Sequence, residues 1–241
     1  MKHIQKSQEP TCLTELKKQE GTVFGDLNKN KCKKKVRVAL LAEQGYICAY
    51  CMQRIFPIWN KALAKYKTEI EHWASQDRHP KLVLDYRNML AVCNGNADSL
   101  KRNLICDKSK AKFDKTDDLT INPLTINKIN QLEYLPNGEI TSKNEQIKRD
   151  LNLILNLNEE TLQERRAQLY DETRKKMRKI KTKYWNNPKA KKSELQKLKS
   201  VWEQRYKHTY KDEEGKEIVV SMLKELCRIP LYLIEKELAK K

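Results

Sequence analysis

The sequence predicts an α+β fold: an N-terminal helix, a small metal-stapled unit of short segments, a β-hairpin, and a helical, strongly basic C-terminal region. Three observations predict it. Four of the seven cysteines and two of the four histidines fall between Tyr46 and about Asp114, where apolar residues are too few for a conventional core. Two short apolar segments flank Pro136-Asn137-Gly138, and Asn-Gly between such segments is a strong hairpin signal. From Lys143 onward Ile147, Leu151, Ile154 and Leu155 share one helical face, and Leu157, Leu162 and Leu169 continue the pattern.

Each element follows from its local chemistry. Residues 1–36 read as a polar, basic arm ending in NKNKCKKKVR. Val36, Val38, Leu40 and Leu41 before Gly45 make a short helix closed by a glycine stop. Residues 37–115 form the cysteine-containing unit, and 116–241 the hairpin with the helical region. Thr68 to Trp73, β-branched and aromatic, suits a short strand. Pro188 is expected to interrupt a helix, and Pro230 to kink or break an amphipathic segment running from Ile218 to about Ala239.

Fifty Lys and Arg against 32 Asp and Glu give the 241-residue chain a formal charge of +18. Such a surplus favours polyanions, above all nucleic acid, with affinity that falls steeply with salt. The surplus is uneven: from Arg174 to Lys211 there are 15 basic residues against Glu194 and Glu203. Arg174, Lys175, Lys176, Arg178, Lys179, Lys181 and Lys183 are candidate phosphate contacts. Tyr184, Trp185, Trp202, Tyr206 and Tyr210 are interleaved with the basic residues, either to stack on bases or to pack inward at helical spacing. No stretch has the apolar length of a membrane span, and MKHIQKSQEP lacks the apolar run of a secretory signal, so a cytoplasmic protein without a membrane partner is expected.

In a reducing compartment cysteines suggest metal ligands or inert thiols before disulfides. Cys48-Ala-Tyr-Cys51 lets two thiolates reach one tetrahedral zinc ion, and Cys93 and Cys106 supply the other two ligands of a structural site. The alternative, that Cys93 and Cys106 are small buried apolar residues, is weakened by their Asn, Gly, Asp and Lys neighbours. Cys12, Cys32 and Cys227 have no partner at ligand spacing. Between the cysteine pairs, Glu71-His72 sets a carboxylate beside an imidazole that can take a proton near pH 7. A surface ion pair is the plainer reading of that dipeptide taken alone. His79, in DRHP, reads as an exposed loop histidine.

The order CAYC, IEHW, DYRNML, VCNGN and CDKSK resembles the HNH, or ββα-metal, endonucleases. In many of these a zinc-binding CxxC precedes Asp-His, an Asn-Leu follows, and a second cysteine pair runs into a helix as C-(H/N)-x-x-K. Glu71-His72, Asn88-Met89 and Cys106-Asp107-Lys108-Ser109-Lys110 stand at those places. The runs IQKSQEPTCL, LAEQGYICAYCMQRI, INPL and LNLN are similar to one subgroup, the HNH proteins of retron-associated and Septu-type anti-phage defence systems, which act with an ATPase partner. The likeness covers residues 1 to about 170. It implies a zinc-stapled ββα-metal core and hydrolysis of nucleic acid phosphodiesters, with DNA favoured. His72 would be the general base, Glu71 and Asp107 would hold one Mg²⁺ or Mn²⁺, Asn88 would orient the histidine loop, and Lys110 would contact a phosphate.

This chain departs from the pattern in three ways. Glu71 replaces Asp and is one methylene longer. Asp107 replaces His or Asn, which favours a hard cation. Twelve residues separate Cys93 from Cys106 where two are usual, so a loop is inserted. A zinc-stapled binding module or an adaptor, without catalysis, is the competing expectation.

Overall fold

The computed structural model describes residues 1–57, 59–60, 65–66, 68–97, 103–212 and 214–240. Helix α1 (Thr11–Leu16) and a 3₁₀ segment (Phe24–Lys31) lead into α2 (Cys32–Gln44). Val36, Leu40 and Leu41 on α2 are buried. Gly45 closes the helix at φ +65°, the left-handed conformation that suits glycine. A Cβ there would also come within 2.6 Å of the Leu223 side chain.

Short strands β1 (Trp59–Asn60) and β2 (Lys65–Tyr66) pair antiparallel. Next, β3 (Thr68–His72) pairs antiparallel with β4 (Met89–Cys93), from Thr68↔Cys93 to His72↔Met89. Helix α3 (Cys106–Lys110) follows and packs on β4, giving the order strand, strand, helix. The inserted loop 94–105 lies partly outside the described residues.

After α4 (Ile126–Ile129), β5 (Leu132–Tyr134) and β6 (Ile140–Ser142) form the hairpin expected at Asn137-Gly138. Gly138 has φ +84°, and a Cβ there would stand 1.9 Å from the Gln163 carbonyl oxygen. Helix α5 (Glu145–Arg149) widens into a π-turn, Asp150–Ile154. There the buried Asp150 carboxylate accepts from the Thr120 and Ile121 amides. The long α6 (Glu160–Lys183) and α7 (Pro188–Glu203) pack with α8 (Arg228–Leu238) around Met177, Leu195, Leu233 and Ile234.

Three expectations are corrected. Residues 1–36 are no solvated arm: Met1, Ile4, Leu13, Leu16 and Leu27 are buried in the same core cluster as α2, β4 and β5. Their apolar residues are spaced singly and carry no helical period, so the pattern hides a segment that packs along its length. Pro188 starts α7 at a position whose amide needs no partner, capped by Asn187, and does not interrupt a helix. The amphipathic segment from Ile218 divides in two. Strand β8 (Glu217–Met222) pairs with β7 (Tyr206–Lys211), and Pro230 then sits harmlessly in the first turn of α8.

Candidate functional site

Two buried clusters lie side by side. The first is made of the Sγ atoms of Cys48, Cys51, Cys93 and Cys106, all within 4.8 Å of one another. Cys48 and Cys51 sit on a tight turn in which the Met52 amide donates to the Cys48 carbonyl and the Cys48 amide to the Gln53 carbonyl. Cys93 ends β4, and Cys106 opens α3. The Cys48–Cys106 and Cys51–Cys93 sulfur separations are both 3.8 Å. A tetrahedral ion with metal–sulfur bonds of about 2.3 Å requires edges of about 3.8 Å, so the four thiols could hold a metal ion such as zinc.

The second cluster adjoins it in the chain, because Asp107 follows Cys106. Glu71 and Asp107 line the same cavity and act on each other electrostatically. Burial and the Asp107 charge push the Glu71 carboxyl well above the usual range. Burial opposes ionisation of Asp107 as well, but Glu71 and the Lys108 ammonium hold it below the usual range. Both carboxylates line a polar cavity of about 410 Å³ with Glu69, His72, Lys110 and Asp114. Two carboxylates in a polar cavity suit a hard divalent cation that keeps part of its water shell.

His72 is the last residue of β3 and 3% exposed. Its Nε2 lies 2.9 Å from the Val83 carbonyl oxygen, and the Phe24 ring stands edge-on at 4.7 Å. A carbonyl can only accept, so Nε2 carries the hydrogen and Nδ1 is left with the lone pair. Burial lowers the imidazole pKa below 6.5, against the Val83 hydrogen bond, and the ring is neutral at pH 7.

Asn88, at the start of β4, clamps the chain beyond His72. Its Nδ2 donates to the Ala74 and Leu82 carbonyls, and its Oδ1 accepts from the Ala74 amide at 2.8 Å. Trp73 adds an Nε1–H bond to the Ile121 carbonyl. The His79 Nε2 lies 3.0 Å from an Asp118 carboxylate oxygen near the surface, away from the cavity lining.

Lys110 is corrected. It is 3% exposed, and its ammonium donates to Glu71 (2.7 Å), Asp114 (2.9 Å) and the His72 carbonyl (2.9 Å), so it supports the site from within and is no surface phosphate contact. Its four-residue spacing to Asp114 is a helical pair legible in the sequence. Lys110→Met strips a buried carboxylate of its counter-charge and should cost about 3 kcal/mol in urea denaturation at pH 7. The difference should shrink in acid, where Glu71 takes up a proton without cost.

Cys12 and Cys32, which have no partner at metal-ligand spacing, are joined by a disulfide with a Cα–Cα distance of 5.7 Å. Ligand spacing reads along the sequence and misses a pair that α1 and α2 bring together. Cys227 is buried as a free thiol.

The basic helix behaves differently from Lys110. Arg174, Lys175, Lys176, Arg178, Lys179, Lys181 and Lys183 all lie exposed on α6. Lys175 pairs with Asp171 and Lys181 with Glu237. The aromatics divide. Trp185, at the α6–α7 turn, is 78% exposed and Tyr206 41%, whereas Trp202 and Tyr210 pack against the core. Sequence reasoning also missed Phe24, the Val83 carbonyl and Tyr50 at the site, and only Tyr50, inside the CxxC, stood within a motif.

No protein-family model matches the chain, and no curated protein matches it either. Among the described residues no helix is long and apolar enough to cross a membrane.

Proposed function

We propose that the chain is a zinc-stapled, divalent-metal-dependent endonuclease of the ββα-metal (HNH) kind, with DNA the favoured substrate. The observation that carries this reading is the Glu71–Asp107 pair in a cavity that His72 also lines, held against a four-thiol cluster. Glu71 and Asp107 would hold Mg²⁺ or Mn²⁺, which when bound supplies Lewis-acid stabilisation of the phosphorane and the leaving oxygen. The neutral His72 takes a proton from water at Nδ1 while Nε2 stays on the Val83 carbonyl. The new P–O bond forms as the P–O3′ bond breaks, leaving a 5′-phosphate and a 3′-oxyanion that takes a proton from solvent to become the 3′-hydroxyl. Lys110 anchors Glu71, and Asn88 holds the loop that fixes the imidazole.

The exposed face of α6 supplies the phosphate-binding surface in this reading. Arg174, Arg178 and Lys179, changed together to Glu, should weaken plasmid binding more than tenfold and lower the salt slope by about 3, with the melting temperature unchanged. The likeness to the defence-system proteins supports a cytoplasmic effector with an ATPase partner, for which co-purification from cells expressing both is the test.

A second reading, nucleic-acid binding without cleavage, draws on Lys110, whose ammonium already neutralises Glu71. Incubation of plasmid and RNA with the zinc-replete protein separates the two. The endonuclease nicks in Mg²⁺ or Mn²⁺ and leaves 5′-phosphate ends. Salt-sensitive binding with no divalent-dependent cleavage of either substrate would favour the second reading.

A further inference from the structure

Tyr50 lies between Cys48 and Cys51 and is fully buried. Its side chain leaves the cysteine turn, and its hydroxyl reaches Glu71, with Oη 3.4 Å from the same Oε1 that Lys110 holds at 2.7 Å. A buried phenol facing a carboxylate is a donor, so the contact is a weak O–H···O interaction, longer than an ordinary hydroxyl hydrogen bond.

The second cluster is therefore tied to the first at more than one point. Asp107 is the chain neighbour of Cys106. Cys93 pairs with Thr68 on the strand that carries Glu71 and His72. Tyr50 is the one side chain that crosses from the Cys48–Cys51 turn directly to a carboxylate of the cavity. We propose that Tyr50 is a positioning residue, whose hydroxyl transmits the rigidity of the thiolate-bound turn to Glu71 and sets the carboxylate for a divalent cation.

The physical argument is one of orientation. Glu has one more rotatable bond than the Asp it stands for, and a flexible carboxylate binds a cation less well because its rotamers must be frozen on binding. Lys110 alone restrains Oε1 from one direction. A second donor on the same oxygen, mounted on a turn that two thiolates hold rigid, fixes the carboxylate plane before the cation arrives.

This inference rests on the metal-dependent reading above. The test is equilibrium binding of Mn²⁺, followed by electron paramagnetic resonance, to zinc-replete wild type and Tyr50→Phe. The Phe variant keeps the ring and its packing and removes only the hydroxyl. It should retain one zinc per chain and bind Mn²⁺ about fivefold more weakly, the scale of losing one modest hydrogen bond. In cleavage assays the loss should appear in the Mn²⁺ concentration for half-maximal rate, with the rate at saturating Mn²⁺ close to wild type. Equal Mn²⁺ affinity in the two proteins would overturn the inference and leave the metal-dependent reading standing. Loss of zinc or of the folded state in Tyr50→Phe would overturn it too, by assigning the hydroxyl to the cluster's own stability. A wild type that binds no Mn²⁺ would remove both.

Discussion

Chelating the zinc proposed to sit among the four cysteines is expected to unfold the region around β3, β4 and α3. Structural zinc sites contribute about 10–16 kcal/mol of apparent binding free energy at neutral pH, comparable with or larger than the about 5–15 kcal/mol that holds a whole domain together. The four cysteines come from the turn before β1, the end of β4 and the start of α3, so a bound ion would add a direct tie between segments that also share one apolar core. Cys106→Ser should abolish stoichiometric zinc and the cooperative melt, or leave the protein insoluble. Zinc release monitored with a chromogenic chelator should coincide with the loss of circular dichroism. Excess Mg²⁺ should not restore the fold, because a hard cation has no preference for thiolates. A chelated protein that keeps its melting temperature would refute a structural role for the ion.

His72→Asn should lower plasmid cleavage by a factor of about 10³, within the range for removal of a general base. Asn is preferred to Ala because the ring is buried against Phe24, and a cavity there would confuse loss of chemistry with loss of packing. The variant should still bind DNA and hold zinc. The pH profile adds an independent check. Burial keeps the His72 pKa below 6.5, so the midpoint of the acid limb of the wild-type rate profile should lie below pH 6.5. The linked stability effect has the same sign. As pH falls through 6.5 the unfolded chain takes up a proton that the folded chain refuses, and stability drops until the folded pKa is reached. His72→Asn should lack that part of the acid destabilisation.

The sequence carried the site further than it carried the fold. Residue type and spacing single out all four thiols, and the structure brings Cys48, Cys51, Cys93 and Cys106 together. The strand at Thr68, the Asn137-Gly138 hairpin and the glycine stop of α2 were legible because each has a local chemical cause. Burial was not. The resemblance casts Lys110 as a phosphate contact, and only the tertiary fold shows Glu71, Asp114 and a carbonyl closing around its ammonium. The N-terminal 36 residues failed for a related reason. Their few apolar side chains have no period of their own and gain one surface only when α2, β4 and β5 are already in place. The β7–β8 hairpin went unread although Ile218, Val220 and Met222 alternate at the strand period of two, because the apolar run continues without a break signal into the stretch that forms α8.

The central claim is that Glu71 and Asp107 hold a divalent cation that is distinct from the ion among the thiolates. The most direct measurement is Mn²⁺ binding by zinc-replete wild type and Asp107→Asn, with zinc content determined on the same samples. The account predicts one exchangeable Mn²⁺ beside one retained zinc in the wild type. In the variant Mn²⁺ binding should be at least tenfold weaker at unchanged zinc, the scale of losing one charged ligand. Mn²⁺ binding that is absent from the wild type, or unaltered by Asp107→Asn, would contradict it.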